Sequence, residues 1–400
     1  MIENLVRNIK RYRLIRGMDQ EKIAGLLGIS RVTYSKLENG KVKVSDDMFY
    51  QFSKILGVTT YALLDNPEPK CKHPLFRHRK PKTLQEKERV QQMLIDAEHK
   101  FSGYEMLEEI TKDALQPTDE FNALCRLVES AEEARALGSE VRALFFRQGF
   151  NNVNRFAEAI ETNGIRYLPF DFQFDGEFGF TLHLTRGNIG IAVNTRSTVP
   201  GERQLFTLCH ELGHYMMHKD VESQYADTEM PKDKAKELER QADAFASGLL
   251  MPDADFDAAW ASTEGLLWFN RVLAVKRIFS VSYQTVIHRL EEKYRAQHGG
   301  SPSLLTAAPV TKRQAQSTPP YRVWFRQNYH RRFGRELPPH EEACPSDIRV
   351  HSSRYVRLAK QAFMSSEITM SRLAELLGQN LLETRDRVNE WAREEREVTR

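Results

Sequence analysis

The sequence has little cysteine and no long apolar run, and each absence excludes a class of protein. It contains nowhere the roughly eighteen consecutive apolar residues of a membrane-spanning helix. The first residues mix Glu3, Arg7 and Lys10 with apolar positions and lack the apolar core of a secretion signal, so we expect a cytoplasmic protein. The cysteines form no CxxC pair, which is typical of reduced thiols and excludes a metal site built from thiolates. They are Cys71, Cys125, Cys209 and Cys344.

Charge is unevenly distributed along the chain. Its 400 residues, 28% of them charged, are more than one hydrophobic core usually holds, which predicts two or three folded domains. Residues 1–82 contain seventeen Lys and Arg against eight Asp and Glu, although the net charge of the whole chain is only +3. A basic N-terminal segment followed by an acidic remainder indicates that the N-terminal end binds a polyanion such as double-stranded DNA. A solvated charged surface is the alternative interpretation.

The N-terminal segment has the pattern of short helices joined by tight turns. Apolar positions at helical spacing, beginning with Leu5 and Ile9, predict a first helix. The second and third helices meet at Gly28, and this short connection is the spacing of a helix-turn-helix. Two more helices are expected from about 45 to 56 and from 59 to 64.

We predict an α+β fold that is mostly helical, with a five-helix N-terminal domain, a central core with a small sheet and a helical module at the end. Stretches rich in proline, or in serine, alanine and glycine, indicate the linkers. The expected segments are the domain 1–65, a basic linker 66–82, a helical connector 83–148, the central core 149–256, a helical extension 257–298, a flexible linker 299–320 and the terminal module 321–400.

Within the central core, strands are expected to precede two helices. The helices run from about 202 to 219 and from 234 to 250, and small residues on the second, Gly248 among them, should let it pack closely against the first. The connector should break near Ser102-Gly103 and Gln116-Pro117. The predicted strands cover 165–170, 178–185 and 189–193, with a turn at 186–188.

His210, Glu211 and His214 form an HExxH motif in an amphipathic helical pattern. Because residues four apart on a helix lie about 40° apart around its axis, both imidazoles project from one face and can bind one metal ion. Glu211, beside the first ligand, is placed to accept a proton from a metal-bound water. The motif predicts one zinc ion per chain with Glu211 as general base, although HExxH also arises by chance.

A catalytic zinc ion needs a third protein ligand, and an ExxxD pair begins twenty-five residues beyond His214. Glu239 and Asp243 share a helix face, so Glu239 can reach the metal while Asp243 accepts a hydrogen bond from a ligand imidazole. Glu237 is a rival for the third ligand. His218 lies on the motif helix, but it has turned about 80° from the first histidine, which favours packing or a contact with a ligand.

These two linked motifs resemble the ImmA/IrrE family of metallopeptidases. The resemblance rests on Arg203 to His214, on Glu239 to Pro252 and on the preceding strand Gly190 to Asn194, and it covers about residues 149–256. It implies a minimal zincin fold; members of the family cleave repressor-like proteins in response to DNA damage or other stress, and some are antitoxins encoded beside toxins. For the site it implies three zinc ligands and a general base, at His210, His214, Glu239 and Glu211.

Residues 1–65 resemble the Xre family of phage-repressor-like DNA-binding domains, with the run Leu37-Glu38-Asn39-Gly40 in the expected place. By that resemblance the helix after Ser30 enters the major groove of a double-stranded operator. Such domains commonly bind as dimers, which implies a homodimer, and a bundle that binds only protein is the alternative. The implied contacts are Ser30, Arg31, Thr33 and Lys36 at the groove and Gln20 and Lys41 at phosphates.

The end of the chain repeats the pattern of the second helix when the sequence is shifted by 350. Residues 368–378 match 18–28 in type and spacing, which indicates a degenerate helix-turn-helix. Leu381 and Leu382 stand where the first copy has its polar recognition face. We therefore expect packing or dimerisation from this module rather than contact with DNA.

Other side chains near the motif have weaker assignments. His183, on a predicted strand, is a candidate for contact with an extended peptide substrate, and a surface histidine is the alternative. Tyr215 and Tyr225 are candidate stabilisers of an oxyanion, without further support.

Two functions follow from these motifs. The first is a DNA-bound zinc endopeptidase, associated with the nucleoid, that cleaves a repressor-like or partner protein in a stress, phage or mobile-element response. The alternative is a transcriptional regulator, or an antitoxin that binds a toxin, in which the zincin domain is a sensor or structural module without proteolysis. The presence of Glu211 favours the first, because a module kept only as a fold has no need of a general base.

Overall fold

The computed structural model divides into two compact units, which we describe separately. The first holds the described residues up to Tyr104, and the second begins at Glu105. The predicted linker 66–82, nearly all of the linker 299–320 and the turn 186–188 lie outside the described residues. The structure describes residues 2–15, 18–56, 58, 60–64, 84–146, 154–172, 179–184, 189–224, 230–298, 320–337, 342–345, 350 and 352–398.

The first unit is built from short helices around one apolar core. Ile9, Ile23 and Leu37 are fully buried there, as their helical spacing predicts. The side chains of Asp19 and Ser30 cap α2 and α3 by accepting backbone N–H groups three residues further on. The elements are α1 (Ile2–Ile15), α2 (Gln20–Leu26), α3 (Arg31–Glu38), α4 (Asp46–Leu56), α5 (Thr60–Leu64) and the first part of α6 (Leu84–Thr111).

The helix α6 corrects one prediction. The expected break near Ser102-Gly103 is wrong, because α6 continues through it to Thr111. A glycine inside a helix costs about 1 kcal/mol relative to alanine. Phe101 and Tyr104, on either side of the glycine, are both fully buried, and their burial outweighs that cost.

The second unit contains a small sheet and a layer of helices. Its helix α12, directly after Pro252, is not expected from the sequence pattern. Proline is compatible with the start of a helix, because its fixed φ is close to the helical value and the first N–H groups of a helix have no partner within it. The elements after α6 are α7 (Asp119–Leu124), α8 (Ala131–Phe145), α9 (Asn154–Thr162), β1 (Arg166–Phe170), β2 (Gly179–His183), β3 (Ile189–Asn194), α10 (Gly201–Gln224), α11 (Lys232–Leu250), α12 (Asp253–Ser262), α13 (Trp268–Phe279), α14 (Tyr283–His298) and the helices Pro320–Phe333, Ser353–Met364, Met370–Leu377 and Leu381–Val398.

The sheet has the strand order β1-β3-β2. The central strand β3 pairs in parallel with β1, where Tyr167 lies opposite Ile191, and antiparallel with β2, where Phe180 lies opposite Ala192. Every residue of β3 is buried, which explains why its sequence is a continuous apolar run rather than an alternating one. The antiparallel pair confirms the predicted one, and β2 is left at an edge of the sheet.

Three helices pack tightly because glycines allow their backbones to approach. A methyl group on Gly248 of α11 would lie 2.1 Å from the carbonyl oxygen of Arg135 on α8, and one on Gly138 would lie 2.2 Å from that of Phe245. Gly213 of α10 meets the ring of Phe245 in the same way, at 2.8 Å. The small residue Gly248 therefore faces α8, and the prediction that it faces the motif helix is wrong.

A buried ion cluster holds the start of α10. The Lys276 ammonium donates to Glu202 Oε1 at 2.6 Å and lies 3.4 Å from a Glu342 carboxylate oxygen. Burial raises the pKa of Glu342 to about 7, against the opposing charge of Lys276. Because both Glu202 and Lys276 are fully buried, removing either would leave an unpaired charge inside the protein.

The terminal helices are tied to this same unit. The guanidinium of Arg354 donates to Glu108 Oε1, and Arg166 at the start of β1 donates to the other oxygen of that carboxylate at 2.6 Å. All three side chains are buried. Tyr355, on the same helix as Arg354, donates its hydroxyl to the Leu376 carbonyl at 2.9 Å. The helix Ser353–Met364 thus connects the helix Met370–Leu377 to the core.

Candidate metal centre and candidate nucleic-acid interface

Two helices bring together three side chains that could hold a metal ion. His210 and His214 lie one turn apart on α10, and their Nε2 atoms are 3.0 Å apart. Glu239 on α11 places its carboxylate oxygens 3.4 Å from His210 Nε2 and 3.5 Å from His214 Nε2. One ligand atom from each of the three residues can be chosen so that all lie within 4.8 Å of one another.

This geometry fits a zinc ion. Bonds of about 2.0–2.2 Å in a tetrahedral arrangement place ligand atoms about 3.3–3.6 Å apart, close to the separations observed. Two imidazoles and one carboxylate leave a fourth position free for water, which distinguishes catalytic from structural zinc sites. Burial opposes ionisation of Glu239, but its interactions with His210 and His214 outweigh burial and hold the pKa of this carboxyl well below its ordinary value.

Glu211 lies buried beside the three ligands. Burial raises the pKa of its carboxyl, although His214 and His210 oppose the shift. The Thr181 hydroxyl on β2 donates to Glu211 Oε2 at 2.9 Å. Glu211 Oε1 is buried and has no hydrogen-bond partner among the described residues. One oxygen is therefore held in place, and the other is available to a small molecule such as water.

Each ligand imidazole has a second partner on its Nδ1 atom. His210 Nδ1 lies 2.9 Å from Asp243 Oδ1, on the helix that carries Glu239. His214 Nδ1 lies 3.0 Å from His218 Nδ1, and His218 Nε2 lies 3.0 Å from Gln241 Oε1. Burial, followed by the neighbouring His214, lowers the pKa of His218 to about 3, so this imidazole is neutral.

The rival ligand Glu237 is elsewhere. Its carboxylate pairs with Arg240 at 2.9 Å and accepts from the Gln241 amide at 3.2 Å. Hydrogen bonding by Arg240 lowers the pKa of Glu237. The structure therefore brings Glu239, rather than Glu237, to the two histidines.

The weaker candidates receive no support. Tyr215 is buried, and its ring stacks on that of Phe121 with centroids 6.3 Å apart. Tyr225 lies outside the described residues. The backbone of His183 pairs with Ile189 in the sheet, and its side chain is outside the described set.

The sequence patterns do not single out Thr181 or Gln241. Thr181 lies on another element thirty residues from Glu211, and no spacing rule links a strand to a helix. The position of Gln241 does offer a signal. It lies between Glu239 and Asp243 on the same helix, and an amide buried there needs a hydrogen-bond partner.

The first unit presents its third helix in the manner of a DNA-reading helix. Ser30 Oγ accepts the Thr33 N–H at 3.1 Å, which fixes the start of α3. Arg31, Thr33 and Lys36 are exposed on this helix, and Lys41 is exposed just beyond it. We call Arg31, Thr33 and Lys36 the α3 face.

Below this face a buried network holds α3 in place. Arg13 pairs with Glu38 at 2.7 Å, and the Gln20 amide donates to the same carboxylate at 3.2 Å. Gln20, expected at phosphates, is thus engaged within the domain. Tyr34 and Leu37 are fully buried, as predicted.

The terminal repeat has the same turn but a different surface. Gly28 after α2 and Gly378 after Met370–Leu377 both adopt the left-handed conformation, with φ of 68° and 65°, which glycine tolerates best. The helices that follow differ, because Leu381 and Leu382 are 55% and 71% exposed where α3 carries Arg31.

Comparison with protein families agrees with both resemblances. Residues 162–291 match the IrrE N-terminal-like domain of the M78 peptidases, and residues 9–63 match the helix-turn-helix family. The chain therefore joins an Xre-like helix-turn-helix domain to a metallopeptidase-type domain. No match to a curated protein accompanies them. None of the described helices is long and apolar enough to cross a membrane.

Proposed function

We propose that this chain is a DNA-binding regulator whose metallopeptidase-type domain is a zinc-dependent endopeptidase. The main support is that His210, His214 and Glu239 converge beside the buried Glu211. The Oε1 atom of Glu211 has no hydrogen-bond partner among the described residues. A zinc ion held by the three ligands would lower the pKa of a bound water to about 7 and polarise a peptide carbonyl.

The residues of the chain supply the proton transfers of this reaction. Glu211 Oε1 accepts a proton from the water that adds to the peptide carbonyl, and the same carboxyl then donates it to the departing amine nitrogen. Thr181 holds Oε2, so that Oε1 keeps its direction. Water adds across the C–N bond, one new carboxyl and one amine form, and Glu211 returns to its starting state.

The substrate that we propose is a repressor-like or partner protein, met at DNA in a cytoplasmic stress, phage or mobile-element response. The support is the helix-turn-helix domain on the same chain, whose α3 face would bind an operator. A homodimer would match a two-fold operator.

The metal content of the purified full chain tests the site. Wild type from zinc-supplemented growth should contain about one zinc ion per chain by mass spectrometry, and Glu239→Ala should contain far less. Asp233→Ala is the matched control, because it removes an exposed carboxylate from the first turn of the same helix. Loss of zinc from both variants would contradict the ligand assignment. Absence of zinc from the wild type would favour the regulator or antitoxin that has lost the reaction.

A further inference from the structure

Beyond the three ligands, a chain of buried hydrogen bonds runs from the backbone to His214. We propose that His218 and Gln241 are positioning residues, which fix the ring orientation and the tautomer of His214 and so set the zinc affinity of the site. This inference rests on the proposed zinc site. His214, His218 and Gln241 are between 1% and 3% exposed, so water cannot replace a lost partner.

The orientation of the Gln241 amide follows from its other partners. Its Nε2 atom lies 3.2 Å from Glu237 Oε1 and 3.4 Å from the carbonyl oxygen of Val128. A carboxylate and a carbonyl can only accept hydrogen bonds, so the amide nitrogen must face them. The amide oxygen is then the atom that lies 3.0 Å from His218 Nε2.

The proton positions of the two histidines follow in turn. Because His218 Nε2 faces a carbonyl oxygen, it carries the hydrogen, and the Nδ1 atom of the neutral ring has a free lone pair. That lone pair accepts the hydrogen of His214 Nδ1 across 3.0 Å. The Nε2 atom of His214 is thereby left without a hydrogen, and it points at His210 Nε2 and Glu239, where a metal ion would bind.

The two ligand histidines are therefore held by different chemistry. His210 donates to Asp243, a carboxylate that can only accept hydrogen bonds and therefore needs no further partner to make it an acceptor. His214 donates to a neutral ring whose acceptor atom is set only by Gln241. Such outer partners are typically worth 10–100-fold in metal affinity.

The proposed role of His218 and Gln241 is tested by measuring zinc dissociation constants of the full chain, by competition with a chromogenic chelator. Gln241→Met and His218→Phe keep the volume and remove the acceptors, so we expect about 10–100-fold weaker zinc binding from each. His218→Asn places a side-chain oxygen near the former Nδ1 atom, so it should bind zinc within about 5-fold of wild type.

Gln204→Met is the control for loss of a buried amide. Gln204 lies on α10 and is 1% exposed, and among the described residues its amide bonds to the backbone of Val199 and Val350, so zinc affinity should not change. Wild-type affinity in Gln241→Met and His218→Phe, or equal loss in Gln204→Met, would overturn the inference. Equal loss in His218→Asn and His218→Phe would also overturn it. A wild-type chain that does not bind zinc would instead contradict the proposed function, and with it the role of His218 and Gln241.

Discussion

In the candidate metal centre both imidazoles are buried and each contacts another side chain through its Nδ1 atom, whereas the side chains of the α3 face are exposed. The difference follows from what each site would bind. A metal ion needs donor atoms fixed to within a few tenths of an ångström, while a DNA groove is met by long side chains that settle on contact. Substitutions in the first region should change geometry, and substitutions on the second should change only affinity.

The largest effect should come from Glu211. Glu211→Gln keeps the shape of the side chain but cannot accept a proton, so cleavage by the zinc-loaded chain should fall by about 10²–10⁴-fold. Zinc content and DNA binding should stay at wild-type values, because neither depends on this proton. The measurement is the rate at which a substrate protein is cut, with metal content determined on the same samples. Undiminished cleavage by the variant would contradict the mechanism.

The sequence predicts the candidate metal ligands better than the side chains that hold the site in place. The spacing of His210 and His214 defines one helix face, so local geometry alone places both imidazoles together. The Thr181 hydroxyl reaches Glu211 only because β2 packs on α10, and no local pattern encodes that contact. The same limit applies to the helices. Their ends are predictable because caps such as Ser30 act within a few residues, whereas their packing is not. The backbone that Gly248 approaches lies on α8, more than a hundred residues earlier.

Alanine in place of a glycine should act in opposite directions in the two regions. At Gly248 the added methyl group would meet the Arg135 backbone at 2.1 Å, so we expect the second unit to lose up to about 3 kcal/mol of unfolding free energy. At Gly25, inside α2, nothing lies within 4 Å, and the same change should stabilise the first unit by about 0.5–1 kcal/mol. Thermal unfolding of each full-length variant measures both effects. Destabilisation by both would mean that α2 has a partner beyond the described contacts.

Arg31 lies at the start of α3, and its guanidinium can donate two parallel hydrogen bonds to a guanine edge. Arg31→Ala should therefore weaken operator binding by about 1–3 kcal/mol in a gel-shift titration, while zinc content stays unchanged. Arg385→Ala is the matched control, because it removes an exposed arginine from the corresponding helix of the terminal repeat. If both variants weaken binding equally, the loss reflects general charge, and the two helices do not differ in the way that their surfaces indicate. If only Arg31→Ala does so, DNA is read by α3, and the exposed Leu381 and Leu382 have another use.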